Sequence, residues 1–297
     1  MAIEDKVFSG DTLRVGYRFQ RHWDNSMAYA FFCAALGAGL FFVSLLMDNV
    51  AGMILGLVPV AIGKPYFHLS HMGVPARSWR AALRPDRSWI SRGLLGLSAL
   101  IGCGAALVFC LLFGSSFGIE ADSALVNLLK VLAGIFALLT MTYQGFAMSH
   151  SSAIAIWNSA ILPLASFLYS LATGVSVLLV ITTGGSNDLA DALLLLLLAL
   201  GVMHLMLLHA GWHGSPGART SVELLLQTLY AKWFWGLTMA AGILLPGLLL
   251  WSAPDLLLAQ LVACLGILAG FLAWRILIFK IGVYEPIMSM NPFNPLH

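Results

Sequence analysis

The sequence predicts an all-α membrane protein, a bundle of eight transmembrane helices with both termini on one face. Three observations predict it. Of 297 residues, 60% are hydrophobic and only 9% charged, against about a quarter charged in soluble domains. Mean hydropathy is +0.91. The apolar residues fall into runs of the ~20 residues that a helix needs to cross a bilayer. A water-soluble fold cannot build a charged skin from this composition, which excludes the soluble enzyme classes. Fifteen Lys and Arg against thirteen Asp and Glu leave no basic excess for a nucleic-acid backbone.

The elements follow in chain order. Residues 1–26 mix charges, carry no cleavable signal pattern and read as an interfacial segment ahead of the first span. Spans are predicted at 27–47, 51–71, 94–115, 124–148, 153–182, 188–211, 232–252 and 257–282. The run from Val131 to Asn187 holds no Asp, Glu, Lys or Arg and is too long for one span. His150, Ser151 and Ser152 are its expected turn. Pro163 then falls inside the fifth span and should kink it. Gly184 to Asn187 and Gly214 to Gly217 are loop signals. There is no internal repeat and no separate soluble domain, so 1–297 reads as a single transmembrane domain.

Charge separates the two faces. The terminal face holds Lys6, Arg14, Arg18 and Arg21, then Arg77, Arg80, Arg84, Arg87 and Arg92, then Arg219, Lys232 and Lys280. The other face holds Asp48, Glu120, Asp122, Asp188, Asp191 and Asp255. The positive-inside rule puts a basic face in the cytoplasm, although a basic loop can equally be a docking surface, which leaves sidedness open. The four cysteines, Cys33, Cys103, Cys110 and Cys264, sit in apolar runs with no metal-ligand spacing and read as small buried hydrophobes.

The loop after the second span carries the most specific pattern. His71, Gly73, Pro75, Arg77, Trp79 and Arg80 spell His-x-Gly-x-Pro-x-Arg-x-Trp-Arg, and Ser88 to Arg92 spell Ser-Trp-Ile-Ser-Arg. These patterns resemble the polysulfide reductase/NrfD-type family of integral membrane subunits, which includes the anchors of dimethyl sulfoxide reductase and similar molybdenum enzymes. Trp23 to Ser44, Tyr143-Gln144-Gly145, Trp157-Asn158, Leu162-Pro163 and Arg275 extend the resemblance over most of the chain. One position departs. Dimethyl sulfoxide reductase anchors tend to carry an acid where Gly93 stands, so a proton-handling role there does not carry over.

The resemblance implies a subunit without haem or iron–sulfur cluster of its own. It binds a quinone or quinol, menaquinone or ubiquinone, at the membrane edge. It exchanges electrons with a ferredoxin-like iron–sulfur subunit docked on the basic face, which serves a molybdopterin catalytic subunit. The implied location is the inner (plasma) membrane. A quinone head group has carbonyls on opposite edges that become hydroxyls on reduction. Its site therefore needs donors and acceptors, one able to exchange protons, and His and Tyr serve best.

His22, Asn25, His71 and Tyr143 are the expected quinone contacts. His22 and Asn25 are equally an interfacial cap beside Trp23 and Asp24. His68 and His71, three apart, share one helical face and join Lys64 and Tyr66 in a polar cluster at the membrane edge. Tyr143 should lie at the height of His22 and His71, because the fourth span must end on the basic face. His68, Arg77 and Arg275 are assigned to a proton path or to partner contact, and Arg80, Arg84, Arg87 and Arg92 to partner docking. Lys130 and Arg275 read as the deepest basic residues. His204, His209 and His213 read as hydrogen-bonded or interfacial. Two rival classes remain. A cytochrome b-type anchor would need facing axial histidines. A secondary transporter would need an inverted repeat and broken helices near the midplane.

Overall fold

The computed structural model describes residues 18–182 and 187–285. Eight helices are long and apolar enough to cross a membrane: α1 (Asn25–Leu46), α2 (Val50–His71), α3 (Trp89–Phe117), α4 (Ala124–Ser149), α5 (Ile161–Ile181), α6 (Asn187–Trp212), α8 (Tyr230–Ser252) and α9 (Leu257–Lys280). A shorter helix, α7 (Pro216–Gln227), joins α6 to α8. Strand β1 (Arg18–Phe19) pairs antiparallel with β2 (Val283–Tyr284), and Gln20 ties the same ends together by donating to the Phe279 carbonyl. Lys6, Arg14 and the Gly184–Ser186 loop signal lie outside the described residues.

Polar caps set the starts. Asp24 accepts from the Met27 amide, Asn49 from Gly52, Ser88 from Ser91 and Ser123 from Val126. Each satisfies one of the donors that a helix N-terminus leaves orphaned. The Ser88 cap starts α3 five residues before the expected Leu94. The amphipathic Trp89–Gly93 segment is thus helix rather than loop.

The fifth span departs most from expectation. Residues 151–160 form turns, and α5 begins at Ile161 instead of 153. The apolar run misled because Ile154, Ile156 and Trp157 are buried, but as loop. Trp157 donates its indole N–H to the Ile278 carbonyl at 2.8 Å, and Ile154 bridges to Tyr284. Pro163 therefore sits in the first turn of α5, where its missing N–H costs no ladder bond, and the expected mid-span kink has no cause.

α1 is the hub, packed by α2, α4, α5 and α9. It crosses α5 where Gly39 and Gly174 face each other. A Cβ on either would collide with the other helix's backbone, the small-residue approach common between membrane helices. One apolar core lies among α1, α5, α6, α8 and α9, and a second among α1, α2, α3 and α4. Two spans contain wide π-helical turns, Pro59–Gly63 in α2 and Phe234–Leu244 in α8. Each adjoins a proline, Pro59 or Pro246, whose absent N–H interrupts the regular ladder. The α2 turn ends directly before Lys64.

Candidate functional site

A cavity of about 360 Å³ opens at the basic end of the second core, within the range of small-molecule sites. Its walls are Trp23, Met27 and Phe31 from α1 and its entry, Lys64, Pro65, His68 and Leu69 from α2, and Ile90, Leu94 and Ser98 from α3. Tyr143 of α4 forms the back, and Ser78, Trp79 and Ala82 of the short 3-10 helix Pro75–Ala82 form the roof.

α2 ends at His71, the end the sequence predicts, and Lys64 lies about two turns, or ~10 Å, before it. What differs from the expected membrane-edge cluster with Tyr66 is its burial. Lys64 is 4% exposed. Its Nζ lies 3.4 Å from His68 Nδ1, 4.7 Å from the Phe31 ring centre and 5.9 Å from that of Tyr143. A cation over an aromatic ring gains about 0.5–2 kcal/mol, whereas removing an ammonium from water costs several. Among the described residues the hydrogen-bond contact of Lys64 is the His68 ring nitrogen, and no oxygen acceptor stands beside it. A lysine two turns inside a span, next to a proline-disturbed turn, was the available signal.

Tyr143 is likewise buried. It lies about 9 Å inside the end of α4 at Ser149, level with Lys64 and deeper than His22 or His71. The expected common height fails for those two, because α1 starts only at Asn25 and α2 ends at His71. Gly93 explains how the tyrosine fits: a Cβ there would collide with the Tyr143 ring. Gly93 is thus the surface on which Tyr143 rests. Gly145, two residues on from Tyr143, has a similar role toward α5, where a Cβ would strike Pro163 and Leu162.

The predicted residues divide into two groups. Tyr143 and His68 line the cavity; His22, Asn25, His71, Arg77 and Arg275 do not. His22 and Asn25 are exposed at the start of α1. His71 instead meets Asp24, Nδ1 to Oδ1 at 3.1 Å. Partial burial pushes the Asp24 carboxyl up, but the Met27 amide and His71 together outweigh this and hold it below its ordinary value. Asp24–His71 ties the cap of α1 to the end of α2, directly outside the cavity. His68 and His71 share a helical face but serve different contacts.

Arg275 is 3% exposed. It donates to Ser166 Oγ at 2.9 Å, lies over the Phe271 ring at 4.9 Å, and reaches within 5.9 Å of the Phe31 ring. Phe31 is thus sandwiched between Arg275 and the cavity lysine. Among the described residues, Arg275 Nε and His204 Nδ1 are buried without a partner, the condition that ordered water commonly satisfies. His204 pairs with Tyr169 at 2.7 Å, and His209 stacks on His213. Lys130 forms an ion pair with Asp48 at 2.7 Å, so it anchors α4 to the α1–α2 turn near the acidic face.

Arg77, Arg80, Arg84 and Arg87 are exposed around the roof. Arg92 differs: it donates to the Pro85 and Asp86 carbonyls and covers the Trp89 ring. Its guanidinium holds the loop together. No curated protein matches the chain. The family model described as polysulphide reductase, NrfD matches residues 16–285, nearly every helix and the whole cavity, and the chain belongs to this family of oxidoreductase membrane subunits.

Proposed function

We propose that this chain binds a quinone or quinol head group in the cavity beneath the Pro75–Ala82 roof. There it exchanges electrons between the membrane pool and an iron–sulfur subunit of a molybdopterin oxidoreductase complex in the inner (plasma) membrane. The observation that carries the reading is Lys64, buried beside Tyr143 and His68 in an apolar cavity and lacking an oxygen partner. When bound, menaquinone or ubiquinone supplies two-electron, two-proton redox chemistry.

The residues present fit such a group. Trp23, Phe31 and Trp79 offer flat apolar walls for a ring. Lys64 and Tyr143 donate to an oxygen at the deep end. His68, in contact with Lys64, is placed to take or give the proton. His71 and Asp24 continue toward water, and His22 and Asn25 line the surface where that proton reaches solvent. Arg275, behind Phe31, holds the α1–α5–α9 wall in place and supplies a hydrated route on the far side. Arg77, Arg80, Arg84 and Arg87 present a positive collar for the iron–sulfur partner directly above the head group; Arg92 shapes that collar from within.

The test uses the complex purified with its partners. Lys64→Met and Tyr143→Phe should each lower quinone-coupled turnover at least about tenfold, the loss of one charge-assisted or buried hydrogen bond. Electron transfer from an artificial dye to the catalytic subunit should be retained. Normal quinone-coupled rates in both variants would overturn the assignment.

A further inference from the structure

We propose that the seam between α2 and α3 is the binding groove for the isoprenoid tail, so that this subunit selects long-tailed quinones by a contact separate from the head-group site. The inference rests on the quinone reading above.

The head-group cavity does not end at its polar residues. On the lipid side it is walled by Pro65 and Leu69 of α2 and by Leu95 and Ser98 of α3. A second, almost wholly apolar groove of about 390 Å³ lies deeper between the same two helices, lined by Ile54, Val58 and Ile62 of α2 and by Ala105, Phe109 and Leu112 of α3. The helices run antiparallel, so rising numbers on α2 meet falling numbers on α3. The two hollows therefore follow one another along a single seam.

The residues at the junction leave it open. Ile62 and Pro65 are three apart on α2. On α3, Ser98, Gly102, Ala105 and Phe109 recur at helical spacing and share one face. Gly102 is exposed, and a Cβ placed on it meets nothing within 4 Å. On α3, Gly102 thus falls between Ser98 of the cavity and Ala105 of the groove and puts no side chain in the way.

The seam exists because α2 leans on α1 while α3 packs mainly on α4. The wide turn Pro59–Gly63 sits at the junction, an irregularity frequent at functional sites. From Pro65 to Ile54 the groove runs about 17 Å along the helix at 1.5 Å per residue, the reach of the first few isoprene units. It ends at a cluster of Phe109, Phe113 and Phe117. A head group at Lys64 places its tail at the upper end of this seam.

The experiment compares a tail-less quinol with a polyprenyl quinol in the purified complex, and maps a polyprenyl quinone bearing a diazirine partway along its tail. Gly102→Phe fills the junction without a steric clash. Gly201→Phe on α6, also in open space, is the matched control. The diazirine should label the 54–62 and 105–113 segments. Gly102→Phe should raise KM for the tailed quinol roughly tenfold, as the loss of a few methylene contacts predicts, and leave the tail-less substrate unchanged. Three results would overturn the proposal: labelling spread over all lipid-facing helices, an equal effect on both substrates, or Gly102→Phe matching Gly201→Phe. Wild-type complex that turns over neither quinol overturns the quinone reading itself, and this inference with it.

Discussion

Lys64 shows how one side chain can define a membrane site. Its burial as a cation costs several kcal/mol, more than the Phe31 ring returns, and His68 is its hydrogen-bond contact among the described residues. Lys64→Met, similar in length and uncharged, should therefore stabilise the empty protein while abolishing quinone-coupled turnover; thermal unfolding and turnover measured together check this. Gly93 is the converse case. Gly93→Glu, which restores the acid found in related anchors, should displace Tyr143 and lower quinone-coupled turnover, with dye-linked turnover as the control. At the entrance, the Asp24 carboxyl is held below its ordinary value of 3.8. The folded state thus binds its proton less readily than the unfolded chain. The Asp24–His71 contribution is complete above that value and is lost as pH falls through the lowered one. Asp24→Asn still caps α1 but carries no carboxylate charge to face His71. Its stability deficit should be present at about pH 7 and should close in acid. Tyr143 and His68 were legible from motif and spacing. The burial of Lys64 was not, because it depends on its packing against Phe31 and His68 and on a π turn that hydropathy does not register.

At the scale of elements, the hydrocarbon thickness made the spans legible: about 20 apolar residues per crossing leave little freedom. Boundaries were less so. The 151–160 stretch carries no charge, yet Trp157 and Ile154 spend their apolar surface on loop packing against the ends of α9 and β2. Only the tertiary partner reveals that. The α4–α5 contact depends on Gly145 meeting Pro163. Gly145→Leu should push the two helices apart and destabilise by about 2 kcal/mol or more, as overpacking does, read as a lowered unfolding temperature in detergent. Pro163→Ala should change stability by less than about 1 kcal/mol, because a first-turn proline removes no ladder bond.

At the scale of the molecule, the eight-span architecture and the basic face were readable from composition and charge. The cavity was not, because it is assembled from the entry to α1, the end of α2, the start of α3, the roof and the C-terminal part of α4. Arg77, Arg80, Arg84 and Arg87 are exposed in and after the roof, so on the proposed reading a partner docked on them would lie next to the head group. Reversing two of them, Arg77→Glu and Arg84→Glu, should release the iron–sulfur subunit during mild-detergent purification. Raising the salt concentration should have the same effect on the wild type, since exposed charges are screened within about 10 Å at 0.1 M. The most direct test of the central claim is a cryo-electron microscopy map of the complex purified with its native quinone. The account predicts a planar head group between Trp23, Phe31 and Trp79, with one oxygen in hydrogen-bond range of Lys64 and Tyr143. A head group seated at His22 and Asn25 outside the cavity, or a cavity filled by the protein's own side chains, would contradict it.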